Sequence, residues 1–355
     1  MNRIEKLMKA LPEGADAALI SSDVNRRYFT GLGSTAGTLL AFRDAAYFII
    51  DFRYIEVAKA TGAEVILQDK LYDQLGELLK KHGARTVAIE TDYITVGSLE
   101  QYRSRLPQVE FLTAAALNDK ILEMRSLKDE EEIAAIRKAQ SITDAAFLEI
   151  LDFIKPGKTE KEVAAYLEYC MRRLGADGLA FETIAAGGPN SAKPHAVPGD
   201  RPLRQGDFFT MDYGAYWGGY CSDMTRTVAV GEPTEEMRRV YDTVLAAQLL
   251  GIEKAVVGAS CRAVDAAARE LIYNAGYEGC FGHSLGHSVG IEIHEMPGFS
   301  PSIAPETTAK EGMVITVEPG IYLEGRFGVR IEDMVWLAPD GTKDLTNSPK
   351  ELIIL

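Results

Sequence analysis

Residues 207–230 restrict the fold more than any other part of the chain. Two apolar runs, 208–216 and 220–230, flank Gly218-Gly219, a pair suited to a two-residue hairpin turn with positive φ. Closing that turn sets Trp217 against Tyr220, Asp212 against Thr225 and Gly214 against Asp223. Asp212 and Asp223 then share one sheet face as diagonal neighbours, about 7–8 Å apart at the backbone. Carboxylates among apolar and aromatic side chains are costly unless something pairs with them.

A second hairpin repeats the pattern. Glu318-Pro319-Gly320-Ile321-Tyr322 runs through Gly325 and Gly328 to Val329-Arg330-Ile331-Glu332-Asp333. A turn centred on Gly325 sets Glu318 opposite Glu332 on one face. Any one of these acids alone reads as a surface residue or helix cap. Four in paired register inside apolar strands read as a cation site.

The chain has five histidines, and His195, His283, His287 and His294 all fall in the second half. Glycines bracket His287 in Gly286-His287-Ser288-Val289-Gly290, which permits close backbone approach. His287 and His294 are seven apart, so both reach one site only if a bulge or bend intervenes near Gly290. One imidazole with four carboxylates is a hard, oxygen-rich donor set that favours Mn²⁺ over a tetrahedral structural zinc. Four carboxylates balance two divalent cations, and two cations roughly 3.5–4 Å apart can activate one shared water.

Composition removes other classes. A net charge of −14 argues against nucleic acid or an anionic membrane as partner. Residues 1–125 carry 16 Lys+Arg against 17 Asp+Glu, and residues 126–355 carry 22 against 35, so the acidity lies in the second part of the chain, as a solvated surface or as carboxylates that hold cations. No apolar run approaches the ~20 residues that span a bilayer, and the first residues lack the apolar core of a signal peptide. Four cysteines without a close pair suggest neither a disulfide framework nor a cysteine-type zinc site, and fit a reducing, cytoplasmic setting.

The first third alternates strand-like runs (17–20, 38–42, 45–50, 64–67, 86–89) with helical periodicity at 71–81. That is an α/β arrangement. The spacing predicts a long helix from a cap at Ser126 to about Phe153, so the expected domains are 1–125 and 126–355. Thr159-Glu160-Lys161-Glu162 is a capping box, Gly175 closes its helix, and Thr234 and Ser260 suit two further caps. No Gly-x-Gly-x-x-Gly follows the early strands, which sets aside a dinucleotide-binding dehydrogenase. Thr30-Gly31-Leu32-Gly33-Ser34 reads as a plain turn.

Together these motifs resemble the pita-bread metallopeptidases, which include methionine aminopeptidase, aminopeptidase P and prolidase. The resemblance spans the whole chain. It rests on Met211-Asp212-Tyr213-Gly214, Ser222-Asp223-Met224-Thr225-Arg226-Thr227, Gly286-His287-Ser288-Val289-Gly290, Val317-Glu318-Pro319-Gly320-Ile321-Tyr322 and Arg330-Ile331-Glu332-Asp333. It implies an α+β fold, with an N-terminal α/β creatinase-like domain before a curved antiparallel sheet covered by helices. It implies Asp212, Asp223, His287, Glu318 and Glu332 as ligands of two divalent metals, Mn²⁺ first, Co²⁺ or Zn²⁺ as alternatives.

The N-terminal domain and the segment Gly188-Pro189-Asn190-Ser191-Ala192-Lys193-Pro194-His195 point to the proline-directed branch. Lys193 and Ala196 depart from its usual pattern and bear on fine specificity. The implied reaction is release of an N-terminal residue from a following proline, with a dipeptidase (prolidase) as the alternative and a non-catalytic peptide-binding module as a remoter one. By the same resemblance His294 steadies the tetrahedral intermediate, Glu318 shuttles a proton, His195 and His283 line the proline pocket, and Arg330 orients the carboxylates. Short peptides with proline second are the expected partners, and a homodimer the expected assembly.

Overall fold

Short apolar runs alternating with helical periods give the first third of the chain a mixed sheet. A computed structural model describes residues 2–355. The chain divides into two units, Met1–Arg125 and Ser126–Leu355. In the first, β1 (Ala17–Ile20), β2 (Thr38–Phe42), β3 (Ala46–Ile50), β4 (Glu64–Leu67), β5 (Thr86–Ile89) and β6 (Glu110–Leu112) form one sheet in the order β4-β3-β2-β1-β5-β6. The β2–β3 hairpin turns at Arg43-Asp44, where Phe42 N donates to Ala45 O at 2.7 Å. Helices Leu71–Lys81 and Val96–Arg105 lay Leu75, Leu79 and Tyr102 on Leu19, Ile49 and Val87 of the sheet. Each such burial contributes about 1.5–3 kcal/mol.

The second unit begins differently from expectation. Ser126 ends the helix Ala116–Ser126 rather than capping the next one. Asp129 caps Glu130–Ile150: its side chain accepts from Glu132 N, and the Glu132 carboxylate accepts from Asp129 N. That reciprocal pair satisfies two orphan amides, and it needs a Glu three residues after the cap. Ser126 has only the shorter Asp129 there. The expected caps Thr159, Thr234 and Ser260 stand where the sequence puts them.

The strands of this unit are β7 (Gly178–Leu179), β8 (Ile184–Gly187), β9 (Asp207–Tyr213), β10 (Ala215–Trp217), β11 (Tyr220–Cys221), β12 (Met224–Val230), β13 (Gly286–Ser288), β14 (Glu295–Phe299), β15 (Val314–Val317), β16 (Gly320–Leu323), β17 (Phe327–Arg330), β18 (Asp333–Ala338) and β19 (Gly341–Asp344). They form sheets ordered β12-β9-β8, β11-β10-β7 and β14-β13-β15-β18-β19, with β16-β17 as a ribbon.

Strand alternation decides what faces the site. Phe209, Met211 and Tyr213 of β9 and Met224, Val228 and Val230 of β12 pack into a core with helices Glu130–Ile150 and Glu160–Arg173. Ile315, Val317, Val329, Ile331, Val335 and Leu337 pack into a second core with helices Glu235–Lys254 and Cys261–Ile272. With a side-chain period of two, the residues between them turn to the other face. Those are Thr210, Asp212, Asp223, Thr225 and Thr227 in one hairpin, and Thr316, Glu318, Arg330 and Glu332 in the other.

Candidate metal centre

Both hairpins keep the register read from their turns. Asp212 pairs with Thr225 and Trp217 with Tyr220. Gly320 pairs with Arg330 and Val317 with Asp333, a register that sets Glu318 against Glu332. The ladder is interrupted at the acids: β11 and β12 part at Ser222-Asp223, β15 and β16 at Glu318-Pro319, β17 and β18 at Ile331-Glu332. Gly214 allows the first interruption, since a Cβ there would lie 1.8 Å from Ser222 O.

The structure brings Asp223, His287 and Glu332 together, with one possible ligand atom from each within 4.8 Å of the others. His287 Nε2 lies 3.4 Å from Asp223 Oδ2 and 3.5 Å from Glu318 Oε1. Asp212 is tied in through Arg330, whose Nη2 donates to Asp212 Oδ2 at 2.6 Å. His294 joins the cluster: its ring centroid is 4.3 Å from that of His287. The bend that permits this is the one expected near Gly290. Gly286 pairs with Phe299 and Ser288 with Glu295, so 296–298 bulge opposite His287, and 289–294 form the turn. His195 lies exposed on the loop after Gly188–Ala192, together with exposed Lys193, while Ala196 is buried.

The electrostatics are those of carboxyls buried close to one another. Burial raises the Asp223 carboxyl well above its ordinary range, and Glu332, Asp212 and Glu318 add to the rise. Burial likewise raises Glu332, with Glu318 next in effect, and pushes Glu318 up to about 8. Burial, then the neighbouring His294, pulls His287 down to about 4, so its ring is neutral near pH 7. His287 Nδ1 lies 3.2 Å from the Ser288 carbonyl, which only an N–H can satisfy. Nε2 therefore presents a bare lone pair to two carboxylate oxygens. Asp212 Oδ1 and Asp223 Oδ1 are buried without a hydrogen-bond partner among the described residues. Orphan carboxylate oxygens beside a neutral imidazole nitrogen are a donor set that fits divalent cations.

Some supporting residues carry no separate signal in the sequence. Thr225 Oγ1 donates to Glu332 Oε2, and Arg330 Nε donates to Thr225 Oγ1. Tyr322 OH accepts from Arg330 Nη1 at 2.8 Å and lies 2.9 Å from His283 Nε2. Gly320 makes room for that hydroxyl, which a Cβ would meet at 2.5 Å. The usable signal for Thr225 was its register opposite Asp212. Tyr322 had only its parity with Glu318.

The sequence of the second unit matches the model of metallopeptidase family M24 over residues 134–339, and that of the first matches the creatinase/prolidase N-terminal domain over 1–126. The chain belongs to metallopeptidase family M24. It is a metal-dependent peptidase, a hydrolase, on a mixed α/β fold whose second unit is the family's pita-bread domain. Among its relatives is a Pyrococcus furiosus protein named Xaa-Pro dipeptidase, 40% identical, with 99% of each chain covered. A solved structure described as an Xaa-Pro dipeptidase from Bacillus anthracis is 41% identical with a TM-score of 0.95, covering 99% of both chains. Another, described as an X-Pro aminopeptidase from Thermotoga maritima, is 37% identical with a TM-score of 0.92 and full coverage of both. Among the described residues no helix is long and apolar enough to cross a membrane.

Proposed function

We propose that this family member is a dinuclear-metal Xaa-Pro dipeptidase of the cytoplasm, acting as a homodimer with Mn²⁺. One observation carries the chemistry: the bare Nε2 of His287 faces Asp223 and Glu318 at 3.4 and 3.5 Å beside orphan carboxylate oxygens. The dipeptidase, second in the sequence reading, moves first because relatives spanning the whole chain carry that name.

Asp212, Asp223, His287, Glu318 and Glu332 are the residues that would hold the cations, whose bound form supplies Lewis acidity to a water and to the scissile carbonyl. An Xaa-Pro bond has no N–H, so recognition falls on the substrate's ammonium, its carbonyl and the proline ring. Asp212 faces the ammonium. His294 donates to the carbonyl oxygen as charge develops there. Glu318 takes a proton from the attacking water and returns it to the proline nitrogen. His195 and His283 line the proline side, and Arg330 fixes Asp212 while also donating to the Tyr322 hydroxyl. Four oxygen donors to one nitrogen favour Mn²⁺, and the four free cysteines suit a reducing compartment.

The X-Pro aminopeptidase likeness favours a second reading, in which longer peptides enter. A panel of Xaa-Pro and Xaa-Pro-Xaa peptides on the Mn²⁺-loaded protein separates the two. Turnover confined to dipeptides supports the dipeptidase. Equal or faster turnover of tripeptides assigns the aminopeptidase, and no turnover of either rejects both.

A further inference from the structure

The turn that carries His294 is secured by groups outside the metal cluster. It spans 289–294, between the end of β13 and the start of β14. Cys221 N donates to Gly290 O at 2.8 Å, and Gly290 N donates to Glu292 O at 3.1 Å. Glu295, the residue after His294, folds its carboxylate back over the turn. Its Oε1 accepts from Ile291 N at 3.1 Å and from Glu292 N at 3.3 Å. Its Oε2 meets Lys128 Nζ at 3.1 Å, and the two side chains are 3% and 1% exposed. Gly290 leaves the space, since a Cβ there would lie 2.5 Å from Glu295 Oε2.

We propose that Glu295 and Lys128 are positioning residues that hold the Ile291–Glu292 amides and so aim His294 at the site. This deepens the proposed function and rests on its assignment of His294. A buried ion pair is weak support for stability but a directional one: removing either partner strands the other. Here the carboxylate fixes two successive amides three and four residues upstream of itself. Lys128, from just before helix Glu130–Ile150, fixes the carboxylate. His294 sits between the clamped amides and the clamping side chain, with little freedom of its own.

The test compares the full-length Mn²⁺-loaded protein with Glu295→Gln, Lys128→Met and the double variant, using alanyl-proline as substrate. Each single variant is expected to lose at least tenfold in kcat, with KM within about twofold and metal content unchanged. Hydrogen exchange in the peptide covering 286–299 should speed at least tenfold in both. The double variant strands no charge and keeps an acceptor for the amides, so its kcat should return to within about threefold of wild type. Unchanged kcat and exchange in folded single variants overturn the proposal. So does loss of metal in proportion to kcat, which would place the pair's effect on the ligands. Should Lys128→Met fail to fold, Glu295→Asp shortens the reach to the amides while keeping the charge; retained kcat and exchange there overturn the proposal equally. Wild-type protein inactive on alanyl-proline removes the proposed function, while the exchange comparison still decides whether the pair holds the turn.

Discussion

Thr225 Oγ1 donates to Glu332 Oε2 across 2.6 Å, although the two residues are 107 positions apart. The same hydroxyl accepts from Arg330 Nε at 3.0 Å. One side chain of the first hairpin thus sets both an acid and a cation of the second.

Thr225→Val keeps the shape and removes the hydroxyl. Glu332 loses a donor and Arg330 an acceptor, both buried. Metal affinity should fall roughly tenfold to hundredfold, as is usual for a group that orients a ligand. Stability of the metal-free protein should fall by about 1–3 kcal/mol. Calorimetric Mn²⁺ titration and denaturant unfolding read the two effects.

Arg330→Lys tests geometry against charge. The guanidinium uses three separate nitrogens to reach Asp212, Tyr322 and Thr225. An ammonium keeps the charge but cannot span all three. Activity should fall at least about a hundredfold, equivalent to ~3 kcal/mol in kcat/KM, despite the conserved charge. A loss under threefold would show that charge alone suffices.

His294→Ala should lower kcat about a hundredfold to a thousandfold, the range for losing one donor to a developing oxyanion. Metal content should stay at the wild-type value. Metal loss in this variant would make His294 a ligand instead.

His283 gives a pH signature. Burial, then the charge of Arg330, pulls it down to about 4, against an unfolded value near 6.5. Between those values the unfolded chain binds a proton that the folded chain refuses. Stability therefore rises with pH across this window and is lost as pH falls from 6.5 toward 4. In metal-free protein, His283→Gln should flatten that slope by up to about 1.4 kcal/mol per pH unit. Denaturant unfolding at pH 5 and pH 7 measures it.

The hairpin registers were legible because each turn is marked by glycine and alternation then assigns every side chain to a face. Gly218 and Gly219 have φ of 60° and 96°, and the pairing of Asp212 with Thr225 follows from them. The cap at Asp129 was obscured by a nearby serine, since local composition cannot say which of two candidates finds a return bond. The bend near Gly290 could be expected from the spacing of the two histidines, and the turn at 289–294 does bring His294 back beside His287; the bulge at 296–298 gave no sign of its own. Arg330 to Asp212 and Thr225 to Glu332 are contacts between hairpins more than 100 residues apart, with no local pattern to announce them.

Anomalous diffraction at the manganese edge, from crystals grown with Mn²⁺, tests the central claim most directly. Two peaks about 3.5–4 Å apart, bounded by Asp212, Asp223, His287, Glu318 and Glu332, are the result this account predicts. A map with no peak among those five side chains, or with a single peak held elsewhere, would contradict it.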